Sequence, residues 1–200
     1  MIFFFIRHAP TSANYNGSMV NGYDNADIVS TEKPADWEER IGKFIYPEAR
    51  EHIYCSPAKR CRQTAKMLFG DVDIIENDLF REFDCSGLGN RKFWEIDEAE
   101  FNRCVDVTND DMKYRAAMIL RGFGLQLERD YGIHSCVVVS HGMLIRYLYH
   151  FTYGDKNISP FDVINSRGFK FSNLDMLQII DEPMDRRVYD FHFQPPVEHQ

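Results

Sequence analysis

An α/β domain built around a largely parallel sheet is expected from this sequence on three grounds. Two uninterrupted apolar runs, Ile2 to Ile6 and Cys136 to Val139, have the continuity of strands buried on both faces. The segments between them place apolar residues at helical spacing, most regularly over 58–68 and 112–127. Strands alternating with helices is the pattern of a parallel sheet with helical crossovers.

Taken in order, Ile2 to Ile6 is the first strand and stops at Arg7. Residues from Thr11 to about Ser30 are polar, contain glycine and lack a period, so they read as a long loop of the kind that often carries function. A helix is expected over about Ala35 to Ile45, ending before Pro47, and His52 to Ser56 is a short strand. The next helix is the best marked: Ser56 suits the N-cap, Pro57 the first helical position and Gly70 the position past the end. Within it Ala58, Cys61, Ala65 and Leu68 form one apolar face, with Arg60 and Thr64 beside that face. Asp73 to Ile75 reads as another short strand.

After a loop from about Asn77 to Arg91 comes an acidic helical stretch, "WEIDEAE", which reads as a solvated face. A long helix from about Asp111 to Arg129 then carries Met112, Ala116, Ile119, Phe123 and Leu127 on one face. The buried strand Cys136 to Val139 leads directly into "SHG", followed by a helix over Met143 to Phe151. Two last strands, Asp175 to Ile180 and Arg187 to Phe193, are joined across "DEPMD".

At 200 residues without a repeat or linker, the chain reads as one domain, 1–200. A net charge of −8 argues against nucleic-acid and acidic-membrane partners, which require a basic face. An anionic substrate would need a locally positive pocket. Five scattered cysteines without a C-x-x-C pair read as buried free thiols in a reducing compartment. The first apolar run is too short for a signal-peptide core, and no stretch approaches the roughly 20 apolar residues that span a bilayer. A cytoplasmic protein is therefore expected.

Ligands of such sheets gather at the carboxyl ends of the strands. Arg7-His8 ends the first strand and Ser140-His141-Gly142 ends the strand before the "SHG" helix. Arg60 and Glu82 each follow a short strand and can join them. Guanidiniums bind phosphate oxygens through bidentate charge-assisted bonds, and a neutral imidazole nitrogen is a competent nucleophile toward phosphorus. A nearby carboxyl group can protonate the leaving oxygen and then deprotonate water. The set is a phosphoryl-transfer kit that requires no metal or cofactor.

Four segments carry a resemblance. "RHAPTSAN" resembles the R-H-G-x-T-x-x-N signature of the histidine phosphatase superfamily, the phosphoglycerate mutase-like enzymes. "SPAKRCRQTA" is similar to that family's S-P-x-x-R-A-x-Q-T-A, "REFDCSGL" to its acid/base segment and "VVVSHG" to its final strand and histidine. They occur in the family's order. The resemblance implies an α/β/α sandwich around a mixed, mostly parallel sheet with an antiparallel edge strand. By position it implies that His8 is the phosphorylated nucleophile, that Arg7 and Arg60 hold the phosphoryl group, and that His141 hydrogen-bonds it. Glu82 matches the general acid and base, with Asp78, Asp84 and Glu95 as neighbouring carboxylates, and Asn14 matches a supporting polar contact.

Three departures stand out: Ala9 replaces the family's usual glycine, Pro10 a frequent glutamate, and Cys61 the usual alanine. After Glu82 the chain lacks the long basic insertion of the cofactor-dependent mutases, which favours hydrolysis of a small phosphorylated substrate, or of a phosphopeptide, over mutase chemistry. A catalytically weak phospho-ligand-binding regulator is the alternative from outside enzymology. Asn21, Tyr23, Asp24, Asp27, Arg91, Lys92 and Trp94 are candidates for reading the rest of the substrate. Read plainly, Asn14 is also an ordinary loop asparagine, and His52, His134, His150, His192 and His199 lack ligand spacing. Oligomeric state is not legible in the sequence.

Overall fold

The computed structural model of the chain describes residues 1–17, 25–89, 91–154, 157–165, 171–181 and 187–191. Its centre is a six-stranded sheet of β1 (Ile2–Arg7), β2 (Ile53–Cys55), β3 (Ile74–Glu76), β4 (Ser135–Ser140), β5 (Met176–Ile180) and β6 (Arg187–Phe191). The strand order is β3-β2-β4-β1-β5-β6. Strands β1 to β4 run parallel, while β5 is antiparallel to β1 and to β6. The mixed sheet with antiparallel pairing towards one edge is thus as expected, with β6 lying outside β5.

The helices are α1 (Ser12–Tyr15), α2 (Trp37–Arg40), α3 (Lys59–Phe69), α4 (Glu98–Cys104), α5 (Asn109–Ala117), α6 (Gly124–Tyr131), α7 (Gly142–Tyr153) and α8 (Pro160–Ile164). Side chains alternate across a strand, so β1 feeds two cores. Phe3 and Phe5 pack with Phe101, Met112, Ala116, Leu127, Leu144 and Phe161 from α4 to α8. Phe4 and Ile6 pack on the other face with Trp37, Cys61, Ala65 and Leu68 from α2 and α3. All four β1 side chains are fully buried, each contributing roughly 1.5–3 kcal/mol. The result is a three-layer α/β/α sandwich.

Local departures from the sequence reading have identifiable causes. The helix expected over 35–45 is one turn, α2, followed by a 3₁₀ turn at Gly42–Phe44. Ile41, at φ −122° and ψ −53°, breaks the ladder, and the Gly42 carbonyl accepts both from Ile45 N in the 3₁₀ turn and from the Arg50 guanidinium. The best-marked helix starts two residues late, because Ala58 rather than Ser56 is its N-cap, while Gly70 ends it at φ 77° as expected. The long helix spans 109–131 as α5, a π-helical segment at Met118–Phe123, and α6. The expected loop after Thr11 opens with α1, capped by a reciprocal Thr11–Asn14 pair. Residues 18–24, which include Asn21, Tyr23 and Asp24, lie outside the described residues, as do most of the last turn and residues 192–200, which hold the predicted end of β6, His192 and His199.

All five cysteines are free, and Cys55, Cys61, Cys85 and Cys136 are buried. Among the described residues no helix is long and apolar enough to cross a membrane.

Candidate active site

Three adjacent parallel strands, β2, β4 and β1, deliver the site. Arg7 is in register with Ser140, and Cys55 with Val139. The main chain continues this pairing one step beyond the sheet, since His8 N donates to Ser140 O at 2.9 Å and Ser56 N to Val139 O at 3.0 Å. Ser56, His141 and His8 therefore emerge side by side, although 133 positions separate the two histidines. Their rings lie 5.4 Å apart between centroids.

Helix α3 places Arg60 between them. Its Nε donates to His8 Nε2 at 3.3 Å and its Nη2 to His141 Nδ1 at 3.0 Å. A guanidinium can only donate, so both imidazole nitrogens are lone-pair acceptors. His8 Nδ1 lies 2.8 Å from the Ala9 carbonyl oxygen, which can only accept. His8 is thus the neutral tautomer with its proton on Nδ1 and its lone pair on Nε2. One helical turn beyond Arg60, the Thr64 hydroxyl donates to the Arg60 carbonyl at 2.7 Å and accepts from Ala9 N at 2.8 Å. That hydroxyl locks the segment after His8 onto the helix that carries Arg60.

His8, Arg60 and His141 are almost wholly buried. Burial first, then the Arg60 charge, hold the proton affinities of both histidines well below the ordinary imidazole value. Burial, and then the neighbouring Arg146, lower Arg7 to about 10. Arg7 Nη1 donates to Phe171 O at 2.7 Å, and its guanidinium lies against the start of α7. A methyl group built at Gly142 would come 3.0 Å from Arg7 Nε and 3.1 Å from its Cζ, so the glycine of "SHG" makes room for the arginine of "RH".

Glu82 sits at the N-terminus of α7. Its Oε2 accepts from Met143 N at 3.0 Å and its Oε1 from Leu144 N at 3.1 Å, the amides that a helix start leaves without partners. It lies near enough to Arg7 to raise that arginine's proton affinity. The rival carboxylates are engaged elsewhere: Asp78 pairs with Arg81, Asp84 accepts from Ser86 N, and Glu95 is exposed. Asn14 Oδ1 accepts from Thr11 N at 3.0 Å and from Asn173 Nδ2 at 3.4 Å, so Nδ2 is the part of Asn14 of use to an anion.

Ala9 is accommodated without strain. Among the described residues, Leu174 is the one non-glycine with positive φ, and Ala9 packs into the α2–α3 core. Beside it a cleft of about 670 Å³ is lined by Ala9, Pro10, Val29, Met67 and Leu174, a volume typical of small-molecule sites.

Of the specificity candidates, Asp27 holds its loop to α3 by accepting from Lys59 and Gln63. Arg91 pairs with Glu100. Lys92 stands 5.2 Å over the Trp94 ring. That ring lies on Gly17, where a β-carbon would fall 1.9 Å from it, so Trp94 ties the segment after Glu82 to the segment after His8.

Three contributors escape sequence reading. Asn173 Nδ2 donates to the His8 carbonyl at 2.8 Å across 165 positions. Arg146 donates to the carbonyls of Ile164 and Phe171, the latter shared with Arg7. The lone charge inside "MLIRYLYHF" was the available signal for Arg146. Ser56 reads as a helix cap, yet its hydroxyl lies 2.8 Å from His141 Nε2. Among the described residues, no group of three or more His, Cys, Asp or Glu is placed to hold a metal ion.

The whole chain can be laid on solved structures of known kind. Phosphoserine phosphatase from Entamoeba histolytica, in complex with 3-phosphoglyceric acid, superposes with a TM-score of 0.71 at 18% identity, covering 96% of this chain and 97% of that one. Phosphoglycerate mutase from Bacillus anthracis gives 0.67 at 14%, covering 95% and 92%. The alpha-ribazole phosphatase from Shigella flexneri gives 0.64 at 13%, covering 96% of each. These likenesses establish the fold. Comparison with curated protein sequences gives no match. The family model of the histidine phosphatase superfamily (branch 1) matches residues 3–162, a span containing both histidines, Arg7, Arg60 and Glu82, and the chain belongs to that superfamily.

Proposed function

We propose that the protein hydrolyses a small phosphomonoester through a phosphohistidine formed on His8. The observation that carries this reading is the tautomer of His8. With the proton held on Nδ1 by the Ala9 carbonyl and the lone pair of Nε2 held at Arg60, the ring is a nucleophile that needs no base to activate it.

A phosphate monoester entering between the rings meets Arg60 and Arg7, and Arg60 exchanges its imidazole partners for phosphoryl oxygens. Nε2 of His8 attacks phosphorus in line with the leaving oxygen. Arg7, Arg60, His141 and Asn14 Nδ2 balance the charge on the equatorial oxygens. Glu82 gives the leaving oxygen its proton, then takes one from the water that opens the phosphohistidine. The depressed proton affinity of His8 keeps the nucleophile unprotonated throughout the neutral range. Hydrolysis is favoured over a mutase reaction because the described residues among the 58 positions between Glu82 and His141 form short turns, α4, the α5–α6 rod and strand β4, with no long insertion.

The test is turnover of p-nitrophenyl phosphate with and without chelator, together with acid quench and intact-mass measurement. A gain of one phosphoryl group in the wild type and none in His8→Ala supports the reading. Turnover in His8→Ala close to wild type would overturn it, and strict dependence on a bisphosphorylated primer would point to a mutase.

A further inference from the structure

His141 has both ring nitrogens engaged, by different partners. Nδ1 accepts from Arg60, the guanidinium that also reaches His8. Nε2 meets the Ser56 hydroxyl at 2.8 Å. Because Arg60 can only donate, the neutral ring carries its hydrogen on Nε2 and gives it to Ser56 Oγ. That oxygen also accepts from Ala58 N at 3.2 Å. Its own hydrogen is directed to the Cys61 thiol, with which Ser56 is hydrogen-bonded. The empty site is therefore wired in one direction, from Arg60 through His141 and Ser56 to Cys61.

An arriving phosphoryl group reverses what Nδ1 must do. An oxygen of the phosphoryl dianion offers only lone pairs, so Nδ1 must become a donor. A buried imidazole between two arginines resists a second proton, and a neutral ring can donate from Nδ1 only if Nε2 becomes an acceptor. Its partner must then be a group able to switch from accepting to donating. A hydroxyl can do so by rotation, and the alternative acceptor of its hydrogen, Cys61 Sγ, lies 3.5 Å from the same nitrogen.

We propose that Ser56 is a positioning residue for His141, whose hydroxyl accepts from the ring when the site is empty and donates to it when a phosphoryl group is bound. The ring holds one hydrogen throughout: as the phosphoryl dianion binds, Nδ1 takes a proton from water and the proton of Nε2 returns to water, so that none is gained or lost overall. The ring itself need not flip. Ser56 thus serves the second histidine as well as the turn that leads into α3. The inference rests on the phosphohydrolase reading for its purpose, but its test on the ring does not require turnover.

Long-range ¹H–¹⁵N correlations of the histidine rings, recorded with and without inorganic phosphate, test it directly. In the wild type, His141 should carry its proton on Nε2 when free and on Nδ1 when phosphate is bound. In Ser56→Ala the phosphate-bound change should be lost, while His8 keeps its proton on Nδ1 as a check that the site is folded. A doubly protonated or unchanged His141 in the wild type with phosphate would overturn the proposal, as would a Ser56→Ala spectrum equal to wild type. With p-nitrophenyl phosphate, Ser56→Ala should lower kcat at nearly constant KM by about 10-fold or more, up to the roughly 10²-fold cost of losing one preorganised donor. Ser56→Thr, which keeps the hydroxyl, should recover most of it. Absence of wild-type turnover would overturn the hydrolase reading alone and leave the ring result standing.

Discussion

Asn173 donates its side-chain amide to the main-chain carbonyl of His8 at 2.8 Å. The turn that carries it grips the same stretch twice more, since Leu174 N donates to Arg7 O at 3.0 Å and Arg7 N to Asp175 O at 3.1 Å. Leu174 sits at φ 66° to make this turn, a conformation that costs a non-glycine residue of order 1 kcal/mol or more. His8 is thus held in place by a turn 165 positions further along the chain.

Replacing Asn173 with alanine should therefore lower stability by about 1 kcal/mol, the net worth of one hydrogen bond. It should also lower kcat for p-nitrophenyl phosphate while leaving the protein folded. Urea unfolding and steady-state kinetics measure the two effects, and an unchanged kcat would show that the Asn173 bond does not aim His8.

Gly142→Ala sets two effects against each other. Alanine improves helix propensity by at most about 1 kcal/mol, but its methyl group would come 3.0 Å from Arg7 Nε. The variant is expected to match or exceed wild type in thermal midpoint and to bind inorganic phosphate more weakly. Calorimetry and phosphate titration separate these outcomes.

Arg60→Lys tests the fork. Arg60 reaches both imidazoles through two nitrogens of one rigid plane, and an ammonium on a flexible stem cannot reproduce that. A drop of roughly 10²-fold or more in kcat/KM is expected, with the charge at the site unchanged.

Stability should fall on the acid side, with a sign fixed by the two histidines. In the unfolded chain each titrates near the ordinary imidazole value, whereas in the folded chain burial and Arg60 hold both well below it. As pH drops below about 6.5, only the unfolded state takes up these protons. Each site then removes up to about 1.4 kcal/mol per pH unit until its folded-state value is reached. Urea midpoints at pH 7.5 and 5.5 should differ less in His8→Asn than in wild type. An equal difference would assign the acid sensitivity to other groups.

How much of this was legible follows from the range of each signal. The strands β1 and β4 are continuous apolar runs, and the residues at their ends are of the types that phosphate chemistry uses, so Arg7, His8 and His141 could be grouped before their distance was known. Arg60 was separable from Lys59, Arg62 and Lys66 by its place in a motif, and the structure buries it while Lys66 stays exposed. Asn173 was beyond reach, because an asparagine in a loop carries no mark of the carbonyl it will meet 165 positions away. Ser56 was visible but misassigned, since serine before proline suits a helix cap as well as it suits a histidine. The helix over 35–45 is cut short where Ile41 leaves the helical region, and its local pattern does not encode that break or the Arg50 guanidinium that joins Ile45 N on the Gly42 carbonyl.

The register of β1 on β4, with Arg7 opposite Ser140, makes the site a proofreader of its own fold. A slip of one residue would shift the two histidines by about 3.3 Å along the sheet and turn Phe3 and Phe5 toward the face meant for Phe4 and Ile6. The error that would blunt catalysis is the same one that would rupture both cores, so a population of partly misassembled molecules should contain active and inactive members and no sluggish ones.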